Sequence, residues 1–213
     1  MYYLIIDTET TNDIECPIVY NFGFAVIDES GETYEQGSYV VADVFLDHEL
    51  MSTAFFADKI PTYWDDIRNG KCTLRRWATI RKIVHDVMAQ WEITRVIAHN
   101  ARFDYASSAT TQRYLTSSKY RFFFPYGTRF IDTLKMSREI LGADKRYTDF
   151  CNKNNYLCKN GTPRFTAEVI FRYLTNNNDF IESHTALEDV MIEKEIFAFC
   201  KSVNPKIEGL LWE

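Results

Sequence analysis

Long apolar runs are missing from this chain: no stretch of about eighteen such residues occurs in its 213 positions, so no membrane-spanning helix is expected. The first residues lack the basic segment, apolar stretch and small-residue cleavage site of a secretory leader, and enter a strand-like run at once. Cysteine is sparse, with five residues at positions 16, 72, 151, 158 and 200. An odd, scattered set suits a reducing compartment better than a disulfide framework, so a cytoplasmic location is expected. Cys151 and Cys158 are the sole close pair, and their spacing does not suit a zinc knuckle, so both read as ordinary thiols. A basic excess is also lacking. The formal net charge is −6, which argues against a protein that grips duplex nucleic acid by bulk electrostatics. No internal repeat, low-complexity tract or linker breaks the chain, so a single domain over residues 1–213 is expected.

What is present is the composition of a globular protein, 46% hydrophobic and 25% charged. The charge is uneven. Residues 100–173 hold 13 Lys and Arg against 6 Asp and Glu, opposite in sign to the remainder. Such a segment could line a phosphate-facing rim or be a solvated surface.

Residues 2–7 (YYLIID) are apolar and rich in strand formers, which predicts a buried strand. Residues 18–28 and 33–41 follow as strands separated by a turn at ESGET, an antiparallel meander. Leu74, Trp77, Ile80, Val84, Val87, Met88 and Trp91 recur at helical spacing, predicting an amphipathic helix over 74–91. A short strand is expected at 94–99, a helix from 104 to 116, and a strand at Phe130–Asp132. Helices are expected near 133–141, 147–154, 164–176 and 186–202. In the last of these Thr185 and Glu188 have capping-box spacing. Strands followed by β–α alternation mean a mixed α/β protein.

Four acids and one histidine stand out against this background. Asp7 and Glu9 lie two apart in YYLIIDTETTN, so a strand places both on one face and Thr8 on the other. Asp104 lies in VIAHNARFDY, where a buried strand should give way to a helix and Asn100 could satisfy backbone groups in the turn. His184 and Asp189 share SHTALEDV, at a loop–helix junction. Four carboxylates in one pocket need neutralising. Oxygen ligands without a nearby thiolate favour Mg²⁺ or Mn²⁺, and carboxylate-held metal pairs serve phosphodiester hydrolysis.

The ordered set DTET, HNARFD and HTALED resembles the three motifs of the DEDDh 3′–5′ exonucleases, from about Asp7 to about Cys200. The resemblance implies an RNase H-like fold, a five-stranded mixed sheet flanked by helices. It implies two divalent ions, Mg²⁺ or Mn²⁺, held by Asp7, Glu9, Asp104 and Asp189, with His184 as general base. It also implies that the last nucleotide lies across Thr8, Glu9 and Thr10. Phe103 and Asn100 are candidate substrate contacts. His99 is either a further contact or a satisfied structural histidine. The implied substrate is a nucleic acid with a free 3′ end, and the reaction releases nucleoside 5′-monophosphates.

Asn12 stands where the family often has glycine, and asparagine tolerates the same turn. The stretch 117–180 is longer than a minimal member needs, and is basic and aromatic. Lys145, Arg146, Lys153, Lys159 and Arg164 are its candidate nucleic-acid contacts. Glu188 and Glu193 fall outside the motif positions and read as scaffold or surface. Single-stranded DNA is the first expectation for the substrate. Alternatives are an RNA trimmer or oligoribonuclease with the same site, a small-nucleotide phosphodiesterase, or a non-catalytic polymerase-associated module. A polymerase partner and a homodimer stay open.

Overall fold

Nine residues of strand-forming sequence, Tyr3–Thr11, make β1, and its apolar side chains divide by parity between two cores. Leu4 and Ile6 face one side with Trp77, Val84 and Met88; Tyr3 and Ile5 face the other with Val190, Phe197 and Cys200. The computed structural model describes residues 1–11, 15–117 and 121–212. Asn12 and its turn lie outside the described residues.

β1 pairs antiparallel with β2 (Ile18–Ile27), which pairs antiparallel with β3 (Thr33–Val41), giving the expected meander. Every residue of β2 is buried, because helices cover both sheet faces. Next come α1 (Ala42–Phe45), α2 (His48–Met51), a 3₁₀ turn at Ala57–Lys59, α3 (Ile60–Arg68) and β4 (Thr73–Arg75). The sequence pattern announces none of these, and the helix expected from residue 74 starts at Trp77 because Leu74 and Arg75 belong to β4. β4 runs parallel to β3 at the sheet edge, so the sheet has six strands and not five. Three residues are too short for a period of two to show.

The remaining elements are α4 (Trp77–Gln90), β5 (Arg95–Ala98), α5 (Ala101–Leu115), β6 (Arg129–Asp132), α6 (Thr133–Leu141), α7 (Lys145–Lys153), α8 (Ala167–Thr175) and α9 (Ala186–Val203). The helix expected from residue 147 starts two residues earlier because Asp144 accepts from Arg146 N. The one expected from 164 starts later, where Thr166 accepts from Val169 N. β5 is parallel to β1, and β6 is parallel to β5, so the strand order is β4-β3-β2-β1-β5-β6. This mixed sheet with helices on both faces is an RNase H-like fold.

Phe123 is buried against Trp77 and Phe22, and Phe124 packs beside it, so two of the three clustered phenylalanines are core; Phe122 is exposed. No helix among the described residues is long and apolar enough to cross a membrane.

Candidate active site

The acids of β1 stand at the C-terminal end of a central strand, where the register against β2 shifts between Glu9 and Thr10. Such a shift bends the strand and turns its end away from regular pairing. α5 follows β5 beside β1 and brings Asp104 in from one face; α9 packs on β1 and β2 and brings Asp189 in from the other.

Asp104 is buried and accepts from Thr8 Oγ1 at 2.8 Å. Thr8 Oγ1 also lies 3.1 Å from Ser107 Oγ, and Ser107 Oγ donates back to the Asp104 carbonyl at 3.2 Å. Thr8 is itself buried, so its side chain faces α5 and Asp104, and only its backbone remains for a substrate. Thr10 is half-buried.

α9 begins without the predicted capping box. Thr185 Oγ1 donates to Glu188 Oε2 at 3.1 Å and accepts nothing from the helix backbone. The first helical N–H, of Ala186, instead donates to Asn21 Oδ1 on β2 at 2.9 Å. Gly23 on the same strand lets the helix sit flush: a Cβ there would lie 2.4 Å from the Ala186 carbonyl carbon. This docking places Asp189 in the pocket. Ligand atoms of Glu9, His184 and Asp189 all lie within 4.8 Å of one another.

His184 has φ 55°, a left-handed conformation that few side chains adopt, and its ring is about one-third exposed. Burial, then the Lys59 ammonium, lowers its pKa from the ordinary imidazole range, which favours the neutral form a base requires. Glu182 Oε2 lies 3.9 Å from its Nδ1.

The carboxyls are under strong electrostatic pressure. Burial, then the Glu182 charge, raises Asp7 to about 7. Burial followed by Asp7 raises Glu9 to about 10 and Asp189 to about 9. Asp104 is pushed well above the ordinary range by the same two causes in the same order. Among the described residues, no lysine or arginine pairs with any of these acids. Asp189 Oδ1 is buried with no hydrogen-bond partner. A buried orphan carboxylate oxygen facing other acids fits a divalent cation, which would meet the unfilled acceptor and the surplus charge together.

Two further acids join this pocket. Glu193 is 3% exposed, accepts the His99 N–H at 3.1 Å, and is pushed well above its ordinary range by burial and then Asp7. It is therefore not a surface residue. Its place one helical turn after Asp189 was the available signal, since i and i+4 share a face. Glu182 is raised to about 7 by burial and then Glu168. It sits in a loop, where no period could have marked it.

The other candidates divide. The two ring nitrogens of His99 lie 3.0 Å from Thr133 Oγ1 and 2.7 Å from the Phe165 carbonyl, so the ring is engaged within the protein. Asn100 does not cap α5 with its side chain; it adopts φ 67° and its N–H donates to Asp132 Oδ1 at 2.9 Å. Phe103 is half-buried. A depression of about 590 Å³ has His99, Asn100, Arg138, Arg164, Glu182 and Glu193 in its lining and none of the five motif residues. Arg146 lies elsewhere, paired with Asp144, in a groove of about 1230 Å³ that holds none of the five motif residues. Lys145, Lys153 and Lys159 are exposed.

No protein-family model and no curated protein matches this sequence. Solved structures do. Exonuclease I from Methylocaldum szegediense is 16% identical, with a TM-score of 0.62 over 96% of this chain and 41% of that one. E. coli exonuclease I in complex with a dA16 oligonucleotide is 17% identical, with a TM-score of 0.59 over 96% and 41%. The chain thus spans about two fifths of the length of these exonucleases, and at such identities what it shares with them is the fold.

Proposed function

We propose that residues 1–213 form one metal-dependent 3′–5′ exonuclease domain that removes nucleoside 5′-monophosphates from single-stranded DNA. The observation that carries this reading is the proximity of Asp7, Glu9, Asp104 and Asp189, which act on one another through their charge, with His184 beside Glu9 and Asp189. The likeness of fold to exonuclease I, one example of which is complexed with dA16, supports DNA as the substrate.

Asp7, Glu9, Asp104 and Asp189 would hold two Mg²⁺ or Mn²⁺ ions. Bound there, the ions would neutralise the carboxylates and stabilise charge developing on the phosphate. Thr8 holds the Asp104 carboxylate in place through the hydroxyl bond described above. An imidazole nitrogen of His184 takes the proton of the attacking water as the water oxygen bonds to phosphorus. The bond from phosphorus to the 3′ oxygen of the preceding nucleotide breaks, that oxygen takes a proton from solvent and leaves as the 3′-hydroxyl of the shortened strand, and His184 returns its proton to water. The lowered His184 pKa keeps the ring ready to accept at neutral pH.

A digestion time course tests this. The protein is incubated with Mg²⁺ or Mn²⁺ and 5′-labelled single-stranded DNA, the matching duplex, the matching RNA and a pentaribonucleotide. Ladders that shorten from the 3′ end, vanish with chelator and vanish in Asp7→Asn are expected, with single-stranded DNA fastest. His184→Ala should lower kcat by about 10²–10⁴. Faster loss of RNA would reassign the substrate. No degradation of any substrate in either metal would sink the reading.

A further inference from the structure

Three side chains from one short stretch grip residues 183 and 184. The Phe56 ring stacks on the His184 imidazole, with centroids 4.2 Å apart and planes 14° from parallel. The Lys59 ammonium donates to the Ser183 carbonyl. The Tyr63 hydroxyl lies 3.3 Å from the His184 carbonyl and 3.2 Å from Asn21 Oδ1. Phe56 immediately precedes the 3₁₀ turn, Lys59 ends it, and Tyr63 follows four residues later in α3. Tyr63 anchors that stretch: it is buried, with its ring edge-on to Tyr20 and Phe45.

The gripped segment needs outside support. Among the described residues, no backbone–backbone hydrogen bond outside regular elements involves residues 181–184. The left-handed backbone at His184 must also be imposed by its surroundings. Glu168 accepts the Glu182 N–H at 3.3 Å, and Phe56, Lys59 and Tyr63 hold the residues that follow.

We propose that Phe56, Lys59 and Tyr63 are positioning residues that clasp the His184 loop and set the imidazole over Glu9 and Asp189. This rests on the reading of His184 as general base. The stack restricts rotation of the ring, and the two carbonyl bonds hold the backbone that carries it. A base that can swing away loses reactive geometry, and a displacement of about 1 Å can cost about 10²-fold in rate. Phe55, 86% exposed and edge-on to Phe56, lies outside the clasp and serves as a control.

The test pairs a spectrum with kinetics on the full chain. In ¹H–¹³C spectra of the metal-free protein, the His184 ring signal is assigned by its loss in His184→Gln. Stacking on Phe56 should displace it upfield of an exposed imidazole. Phe56→Leu should abolish the displacement, while Phe56→Tyr and Phe55→Ala should keep it. On single-stranded DNA with Mg²⁺, Phe56→Leu should lower kcat about ten- to hundredfold with KM within about twofold. Phe56→Tyr should restore kcat. Lys59→Met should lower kcat, and Lys59→Arg should restore it, which keeps the test open if Phe56→Leu folds poorly. An unmoved ring signal in Phe56→Leu overturns the stack. A moved signal with wild-type kcat overturns the positioning role alone. Wild-type protein that degrades no nucleic acid overturns the exonuclease reading, and the catalytic purpose of the clasp with it, whatever the spectrum shows.

Discussion

Asn21, in the middle of a buried strand, accepts the Ala186 N–H at 2.9 Å from a helix that begins 165 residues later. The same side chain donates to the Tyr39 carbonyl at 2.9 Å and lies 3.2 Å from the Tyr63 hydroxyl. One amide thus ties β2, β3, α3 and α9 together beside the acids. Asn21→Leu keeps the volume and strips every bond. Each buried group left unpaired should cost about 1–3 kcal/mol. A urea unfolding curve should show a lower midpoint at unchanged slope. An unchanged midpoint would mean that water satisfies these groups.

Gly23 governs how closely α9 can approach. A methyl group there would lie 2.4 Å from the Ala186 carbonyl carbon and 2.5 Å from the Leu187 nitrogen, and backbone cannot turn aside as a side chain can. Gly23→Ala should destabilise by about 1–3 kcal/mol or more. It should also lower the proposed nuclease activity in the fraction that stays folded, because Asp189 moves with its helix. Activity and melting temperature of the purified variant, compared with wild type, check this.

Thr8 reaches Asp104 through a single hydroxyl, and Thr8→Val removes that bond at nearly constant shape. Loss of a partner that orients a metal-holding carboxylate typically costs about 10–100-fold in metal affinity or activity. The Mn²⁺ concentration needed for half-maximal activity should rise accordingly. Unchanged metal dependence would detach Thr8 from the site's chemistry.

The carboxyl pocket predicts how stability depends on pH. Asp7 and Glu182 are raised to about 7, Asp189 to about 9 and Glu9 to about 10. The folded chain therefore binds these protons more tightly than the unfolded chain, whose carboxyls titrate near ~4. The folded state is favoured at low pH and loses stability as pH rises from ~4 through that range. Melting temperature of the metal-free protein should fall between about pH 5 and 9. Added Mg²⁺ or Mn²⁺ should flatten that fall, since ligands that bind the folded state stabilise it. Glu193→Gln, which removes one buried acid and keeps an acceptor for the His99 N–H, should raise the metal-free melting temperature most at the alkaline end. A flat melting profile without metal would count against the electrostatic picture of the site.

Much of the fold was legible wherever periodicity had room to run. β1, β2 and β3 span nine or ten residues each, and α4 and α9 span several turns. The short pieces between β3 and α4 were not legible. α1 and α2 have four residues each and β4 has three, less than the pattern that would declare them. Yet that unannounced region supplies Phe56, Lys59 and Tyr63, the side chains that hold His184. The cap of α9 was misread for a related reason. Thr185 and Glu188 had the spacing of a local cap, but the acceptor came from Asn21 on a distant strand.

By itself the sequence determined the chemistry on offer: acids at 7, 9, 104 and 189 and a histidine at 184, each in a local context that names its strand end, helix start or loop. Only the tertiary structure decided the environment of those groups. It added Glu182 and Glu193 to the pocket, closed His99 into bonds with Thr133 and Phe165, and left Asp189 Oδ1 without a partner. Burial and unpaired charge are properties of how elements pack, and they arise between residues far apart in the chain. Residue type and spacing declare what a side chain can do; packing sets the dielectric, the neighbours and the vacant valences that decide what it does.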